Sequence, residues 1–264
     1  MTSIQSQGTA LITGASSGIG AIYAQRLAAR GFDLLLVARD QARLEAAASA
    51  LRDAHGVQVE VLKADLTQKD DVLKLEQRLR SDSSIGLLLN NAGVAADGLL
   101  ANADLDQLER MIQLNITAVT RLASAAAASF AKAGRGTIIN IGSVVALFPE
   151  RFNATYSASK AYVLSLTQSL NAELDGTGVK VQAVLPGVTR TEIWERSGID
   201  ASQIPAEMVM EAGEMVDAAL AGLDQGELVT IPSLPDAGDW DAFVAARFVM
   251  APNLSKSKAA ARYK

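Results

Sequence analysis

The sequence predicts an α/β fold in which helices cover both faces of a mostly parallel sheet, giving three layers. Short segments rich in Leu, Ile and Val alternate with longer segments of helical composition through residues 9–231. The first apolar segment leads into a glycine-rich turn at 14–20, which a helical segment follows. The chain has 264 residues and 49% hydrophobic content, enough for one large buried core.

Composition and charge exclude several classes of function. The net charge is −5 and the basic side chains are dispersed except at 256–264, so we expect no nucleic-acid partner. No apolar run reaches about 18 residues and no signal-peptide pattern is present, so we expect a cytoplasmic protein without a membrane span. The chain has no Cys, which excludes disulfides and thiolate catalysis, and we expect no metal site.

The first strand, turn and helix predict an anion-binding site. We expect the strand at 9–13 and the helix at 21–30. The glycines between them allow close approach of the backbone, while the N–H groups and macrodipole at a helix N-terminus favour a pyrophosphate. An ordinary tight turn is the alternative. The cofactor-binding candidates in this turn are Gly14, Ser16, Ser17, Gly18, Ile19 and Gly20.

The second strand, at 32–38, precedes the position that distinguishes the two nicotinamide cofactors. A carboxylate there accepts hydrogen bonds from the ribose 2′-OH of NAD, whereas an arginine pairs with the 2′-phosphate of NADP. The residue is Arg39, so NADP(H) is favoured. Arg39 paired with Asp40 or Glu45 on the surface is the alternative, and the nearby Asp40 leaves NAD(H) possible.

The third and fourth strands bring further candidates to the same edge of the sheet. A strand at 57–62 leads to Asp65 and Leu66, and Asp65 either faces the adenine ring or starts the next helix. The strand at 85–89 is apolar along its length, as in parallel sheets buried on both faces. It is followed by small and amide side chains suited to a cofactor ring, namely Asn91, Ala92 and Gly93.

Two polar residues lie near this edge on later elements. Asn115 interrupts the apolar face of a helix predicted at 104–132, so it either satisfies local backbone or holds a water near the site. Ser143 follows the strand predicted at 137–141, at the end where open α/β sheets bind ligands. Ser143 is therefore placed to donate a hydrogen bond to a carbonyl, with a simple turn residue as the alternative.

Tyr156 and Lys160 provide candidate proton chemistry. They are four residues apart in a helix predicted at 156–175, so their side chains share one face. An adjacent ammonium favours the phenolate and should lower the pKa of Tyr156 toward neutrality, which suits a general acid or base. Taken alone, the pattern is more often an exposed pair on a helix surface.

The last part of the chain predicts substrate-binding and closing segments. A strand at 179–185 ends in the cofactor candidates Pro186, Gly187, Val188 and Thr189. A mobile lid is expected at about 188–215, then a helix near 214–223, a strand at 227–231 and an extension from about 232 that packs over one end. The substrate-binding candidates are Ser143, Val145, Phe148, Phe152, Tyr156 and Trp194.

Taken together, these motifs resemble those of the short-chain dehydrogenase/reductase family over residues 8–231. The matching residues, in order, are Thr13-Gly14-xxx-Gly18-x-Gly20, Asn90-Asn91-Ala92-Gly93, Asn115, Ser143, Tyr156-xxx-Lys160 and Pro186-Gly187. The resemblance implies a Rossmann-type, doubly wound sheet of seven mostly parallel strands in a single domain over 1–264, with a nicotinamide cofactor.

The resemblance also implies catalytic roles for Asn115, Ser143, Tyr156 and Lys160. Tyr156 would exchange a proton with the substrate oxygen as hydride is transferred, and Ser143 would orient that oxygen. Lys160 would lower the pKa of Tyr156 and bind the nicotinamide ribose, while Asn115 holds a water that links Lys160 to solvent. Thr189 resembles the family's contact to the nicotinamide carboxamide.

The implied activity is NADP-dependent carbonyl reduction or alcohol oxidation on a fairly apolar small molecule. The family's usual assembly implies a homodimer or homotetramer formed through the helices at 104–132 and 156–175. One alternative is a catalytically silent NADP-sensing or scaffold protein. Another is a 3-oxoacyl-carrier reductase, for which the candidate basic docking residues are Arg151, Arg190 and Arg196.

Overall fold

The predicted apolar segments form parallel strands. The structure, a computed structural model, describes residues 7–95, 98–192 and 204–264, with no side chain for Arg151. Its strands are β1 (Thr9–Thr13), β2 (Asp33–Ala38), β3 (Val59–Lys63), β4 (Ile85–Asn90), β5 (Gly136–Ile141), β6 (Val179–Val184), β7 (Thr189–Arg190), β8 (Met210–Glu211) and β9 (Val229–Thr230).

Seven of the described strands form one sheet in the order β3-β2-β1-β4-β5-β6-β9, and each neighbouring pair is parallel. The chain order reverses between β1 and β4, so the crevice for a ligand is expected where these two strands end. The predicted Rossmann-type architecture is therefore confirmed.

Helices cover both faces of this sheet. The helices described before residue 233 are α1 (Gly18–Ala29), α2 (Gln41–His55), α3 (Lys69–Ser81), α4 (Leu105–Ile112), α5 (Val119–Ala133), α6 (Ala154–Glu173) and α7 (Ala212–Gln225). A further helix, α8 (Ala237–Met250), belongs to the C-terminal part of the chain, which is described separately below. Neighbouring strand residues point to opposite faces, so Ile12 packs in one hydrophobic cluster with α1, α2 and α7, and Leu11 packs in the other with α3, α5 and α6. No helix within the described ranges is long and apolar enough to span a membrane.

Several boundaries differ from the sequence prediction. The helix predicted at 104–132 contains a π-helical turn at Gln113–Ala118, between α4 and α5. Helix α6 begins at Ala154, two residues early, because the Asn153 side chain caps it by accepting from the Tyr156 N–H at 3.0 Å. The strand predicted at 227–231 keeps only Val229–Thr230.

The predicted lid is only partly described. Residues 193–203, including the candidates Trp194 and Arg196, lie outside the described residues. Where no clear strand was expected, β7 and β8 pair in parallel through Thr189 with Met210 and Arg190 with Glu211. The lid itself stays a prediction.

The chain divides into two compact units, Met1–Pro232 and Ser233–Lys264. In the smaller unit, Asp236 caps α8 by accepting from the Gly238 N–H at 2.8 Å, and the rings of Trp240 and Phe243 stack at 5.4 Å. The predictions of a single domain and of an extension covering one end of the sheet stay predictions.

Candidate active site

Thr13 and Asn91 connect the ends of β1 and β4. Thr13 Oγ1 donates to the Leu89 carbonyl at 3.1 Å and accepts from the backbone N–H groups of Asn91 and Ala92, both at 3.0 Å. Asn91 Nδ2 donates to the carbonyls of Thr13 and Gly14 at 2.9 and 3.3 Å. These bonds of Asn91 shape the glycine turn, and contact of Asn91 with a cofactor ring stays a prediction.

The glycine turn has no room for side chains at Gly14 and Gly20. A Cβ on Gly14, where φ is +67°, would lie 2.7 Å from Asn91 Nδ2, and a Cβ on Gly20 would overlap the Gly14 carbonyl. Helix α1 begins at Gly18 with Ser17 as N-cap, and the Ser17 side chain forms no capping bond with the described residues. Backbone N–H groups at this helix end therefore suit the pyrophosphate of a dinucleotide.

Arg39 follows β2 and is exposed. Among the described residues it forms no ion pair, so the surface pairing with Asp40 or Glu45 is not observed. Asp40 instead caps α2, accepting from the Arg43 N–H at 3.0 Å, and its Oδ2 lies 3.5 Å from Arg43 Nε. This arrangement leaves the Arg39 guanidinium as the cation suited to a 2′-phosphate.

Sequence reasoning missed Arg43, which also pairs with Glu192 at 2.8 Å. The two residues are 149 positions apart, so no local pattern indicates the contact. Thr191 lies beside the glycine turn, 3.3 Å from where a Cβ on Gly18 would be. The segment after β7 therefore passes close to the proposed cofactor cradle.

Asp65 organises the turn before α3. Its Oδ1 accepts from the Thr67 N–H and Oγ1 at 3.0 and 2.8 Å, and its own N–H donates to Asp71 at 2.9 Å. These bonds support the helix-start interpretation of Asp65. The neighbouring Leu66 is buried in the hydrophobic core. Contact of either residue with adenine stays a prediction.

The residues after β6 lie beside Ser143. The Pro186 carbonyl accepts from Ser143 Oγ at 3.4 Å and from the Val144 N–H at 3.0 Å. The Val188 carbonyl accepts from the Met210 N–H, and Thr189 Oγ1 donates to the Gly187 carbonyl at 3.2 Å. The segment 186–189 is thereby joined to the candidate catalytic serine.

Tyr156 and Lys160 lie next to Ser143 and the end of β5. Tyr156 is in the first turn of α6, where the macrodipole favours a negative charge. Lys160 Nζ donates to the Ile141 carbonyl at 3.0 Å and lies 5.8 Å from the centre of the Tyr156 ring. Residues from three parts of the chain therefore meet at one edge of the sheet.

The electrostatics correct one sequence prediction. Burial raises the pKa of Tyr156, and a hydrogen bond with Ser143 opposes this only in part, whereas Lys160 was expected to lower it. Lys160 is itself buried, and desolvation lowers its pKa to about 8. For Tyr156, desolvation therefore outweighs the effect that was expected from Lys160.

Asn115 lies in the π-helical turn and is 2% exposed. Its Oδ1 accepts from the Val94 N–H at 3.1 Å, and its Nδ2 donates to the Val94 carbonyl at 2.9 Å and to Ser159 Oγ at 3.2 Å. A Cβ on Gly93 would lie 3.2 Å from Asn115 Oδ1 and 3.7 Å from Lys160 Nζ, so both atoms face the space beside Gly93. Asn115 thus satisfies local backbone, and its water-holding role stays a prediction.

The substrate candidates differ in exposure. Val145 is buried, whereas Phe148 and Phe152 are 63% and 50% exposed. Arg190, a candidate for carrier docking, pairs with Glu211 at 2.6 Å. The side chain of Arg151, like Trp194 and Arg196, lies outside what the structure describes.

Comparison with known proteins places this chain in a family. Residues 8–201 match a family described as short chain dehydrogenase. An uncharacterized oxidoreductase of Staphylococcus saprophyticus is 34% identical over 84% of this chain and 93% of its own length.

Two solved structures extend the likeness to nearly the whole chain. A short-chain dehydrogenase from Sphingobium yanoikuyae in complex with NADPH is 54% identical, with TM-score 0.95, over 97% of this chain and 100% of its own. A bulky-bulky ketone specific alcohol dehydrogenase from Comamonas testosteroni is 47% identical, with TM-score 0.90, over 98% of this chain and 99% of its own. With its glycine turn, its sheet order and these relatives, the chain belongs to the short-chain dehydrogenase/reductase family of oxidoreductases.

Proposed function

We propose that this protein transfers hydride between NADP(H) and a ketone, an aldehyde or a secondary alcohol of apolar character. The carrying observation is that Tyr156 lies beside Lys160, whose Nζ is 5.8 Å from the centre of its ring, with Ser143 close enough to oppose the raised pKa of Tyr156. The NADPH complex of the Sphingobium relative and the ketone specificity in the name of the Comamonas relative support the proposal.

The described residues fit a dinucleotide. The uncapped start of α1 would hold the pyrophosphate, Arg39 the 2′-phosphate, and Lys160 the nicotinamide ribose hydroxyls. The bound cofactor supplies or accepts the hydride. Residues 91–93 would lie against its rings, and Thr189 would contact the carboxamide. This assignment favours NADP(H) over NAD(H), because Asp40 is engaged with Arg43.

Tyr156 would handle the proton of the reaction. In reduction, its Oη–H donates the proton to the carbonyl oxygen while hydride adds to the carbonyl carbon, which leaves an alcohol and a phenolate. Ser143 Oγ would donate a hydrogen bond to the same oxygen and so stabilise its developing charge. Oxidation of an alcohol reverses each transfer.

The shifted pKa values are consistent with this division of roles. The raised pKa keeps Tyr156 protonated at neutral pH, as a general acid for reduction requires. Lys160, with its pKa lowered to about 8, is suited to return a proton to the phenolate near neutral pH. A water between Lys160 and Asn115, beside Gly93, would complete the path to solvent.

Phe148 and Phe152 support an apolar substrate. They are exposed on the segment that joins Ser143 to α6, so they would flank the approach to Tyr156. We also infer a homo-oligomer in the cytoplasm without nucleic-acid or membrane partners. The dispersed charge and the small side chains on α5 support this inference.

The proposal is tested by comparing wild type with Tyr156→Phe in two assays. Fluorescence titration should show that NADPH binds more tightly than NADH. Wild type and Tyr156→Phe should have equal affinities for NADPH. Reduction of a panel of aryl and dialkyl ketones should fall by at least ~10²-fold in Tyr156→Phe, because the proton donor is lost.

Each outcome distinguishes one hypothesis. Undiminished turnover in Tyr156→Phe would contradict the role of Tyr156. Preference for NADH would contradict the role of Arg39. Tight NADPH binding without turnover of any ketone, aldehyde or alcohol by the wild type would favour the silent cofactor-sensing alternative.

A further inference from the structure

Ser159 connects Asn115 to the backbone of Tyr156. Asn115 Nδ2 donates to Ser159 Oγ at 3.2 Å, and Ser159 Oγ donates to the Tyr156 carbonyl at 2.7 Å. Ser159 is 1% exposed. A buried hydroxyl that both accepts and donates is satisfied in one geometry, so these bonds hold the first turn of α6 against the π-helical turn.

The partner of Ser159 is itself held on its other side. The remaining polar bonds of the Asn115 side chain go to the N–H and carbonyl of Val94, after β4. Ser159 therefore cannot shift without moving the Asn115 side chain, which is bonded to the Val94 backbone after β4. The connection runs from the loop after β4, through Asn115 and Ser159, to Tyr156.

Lys160 attaches the same part of α6 to a different element. Lys160 follows Ser159 in α6, and its Nζ donates to the Ile141 carbonyl at the end of β5. The helix turn that carries Tyr156 is thus attached to β5 by Lys160 and to the π-helical turn by Ser159. Two attachments to different elements determine its position better than one.

We propose that Ser159 is a positioning residue that holds Tyr156 in place beside Ser143 and Lys160. The proposal rests on the proposed function of Tyr156 and adds a residue to which neither the motif reading nor the comparisons assign a role. Removal of the Ser159 hydroxyl would loosen the first turn of α6, so that the Tyr156 phenolate loses part of its stabilisation by Ser143.

Ser157 provides a matched control on the same helix. It is 0% exposed, and its Oγ has no hydrogen-bond partner among the described residues. Ser157→Ala and Ser159→Ala therefore remove the same group from equally buried positions, but only Ser159→Ala breaks observed bonds. Ser159→Thr retains a hydroxyl and tests whether the hydroxyl restores the function.

The test measures kcat and KM for an aryl ketone, and the pKa of Tyr156. The pKa comes from near-ultraviolet phenolate absorbance, after subtraction of the Tyr156→Phe titration. Ser159→Ala should lower kcat about three- to tenfold with KM within about twofold, and raise the pKa of Tyr156 by about half a unit, as expected for one ordinary hydrogen bond. Ser157→Ala should match wild type, and Ser159→Thr should recover most of the loss.

Equal kcat and equal phenolate titration in Ser159→Ala and Ser157→Ala would overturn the proposal. So would a lower melting temperature of Ser159→Ala with an unchanged pKa of Tyr156, since Ser159 would then serve stability alone. If Ser159→Ala does not fold, Ser159→Cys, a weaker donor, replaces it. Absence of turnover in wild type would contradict the proposed function, and the phenolate titration would still decide the role of Ser159.

Discussion

Burial of Lys160 is the residue-scale feature with the clearest physical consequence. The side chain is 7% exposed, and its only described acceptor is the Ile141 carbonyl. Desolvation lowers its pKa from 10.5 to about 8. The protein therefore keeps at its candidate site an amine whose charge is costly, which is typical of functional sites more than of stabilising ones.

This shift predicts how stability depends on pH. Between pH 8 and 10.5 the unfolded chain binds more protons at Lys160 than the folded chain, so the free energy of unfolding should rise with pH in this window. The contribution is at most ~1.4 kcal/mol per pH unit. The raised pKa of Tyr156 acts in the opposite direction once the unfolded phenol ionises, near pH ~10.

Urea unfolding of wild type and Lys160→Met at a series of pH values measures this contribution. The free energy of unfolding of wild type, minus that of Lys160→Met, should increase from about pH 8 to about pH 10. Lys132→Met, which removes an exposed lysine from α5, controls for the general loss of a positive charge. A pH-independent difference would show that Lys160 has the same pKa folded and unfolded.

At the element scale, a buried polar chain fixes α6 to the sheet. Asn90 Nδ2 donates to Asn140 Oδ1 at 2.9 Å, Asn140 Nδ2 donates to Thr167 Oγ1 at 3.0 Å, and Thr167 Oγ1 donates to the Val163 carbonyl at 2.7 Å. Asn140 and Thr167 are both fully buried. These bonds connect β4, β5 and α6 beneath the candidate site.

This network predicts different losses of stability for two substitutions of Thr167. Thr167→Val keeps the shape but leaves the buried Asn140 amide without its acceptor, which should lower the free energy of unfolding by ~1–3 kcal/mol. Thr167→Ser keeps the hydroxyl and should cost less. Chemical denaturation of both variants gives their free energies of unfolding. If Thr167→Val is at least as stable as Thr167→Ser, the hydrogen bond from Asn140 to Thr167 is contradicted.

At the scale of the whole molecule, exposed ion pairs join distant parts of the chain. Arg26 and Arg30 on α1 pair with Asp217 and Asp224 on α7 at 2.6 and 2.8 Å. Their side chains are partly exposed, so each is expected to contribute little to stability. The hydrophobic clusters on the two faces of the sheet are the larger source of stability.

The surface formed by α5 and α6 indicates where a second copy of the chain would pack. A groove of about 170 Å³ between these helices is lined by Thr120, Ala123, Ser124, Ala127, Leu166, Leu170 and Glu173. Small side chains there allow a second copy of the chain to pack closely, as the proposed homo-oligomer requires.

Ser124→Arg should abolish this assembly by placing a bulky charge in the groove, without unfolding the protein. Ser49→Arg, at an exposed position on α2, is the matched control and should assemble as wild type does. Light scattering after size exclusion gives the masses. An oligomer unaffected by Ser124→Arg would place the interface elsewhere, and a monomeric wild type would contradict the assembly.

Much of this fold can be read from the sequence because its determinants are local. Strand β4 is apolar from Ile85 to Leu89, as a parallel strand buried on both faces requires. The glycine turn after β1 needs backbone freedom that only glycine has, so Gly14 indicates the turn before any contact is known. Asn153 was a readable signal as well, since an Asn before a helical segment is a common N-cap.

The sequence by itself determined the strand and helix order, the cofactor cradle and the Tyr156–Lys160 pair, because these depend on residue type and short spacing. The tertiary structure alone decided which distant groups meet, such as Arg43 with Glu192 and Asn115 with Ser159. It also decided that burial raises the pKa of Tyr156, reversing the direction expected from Lys160. Desolvation depends on everything packed around a group, and no spacing along the chain encodes it.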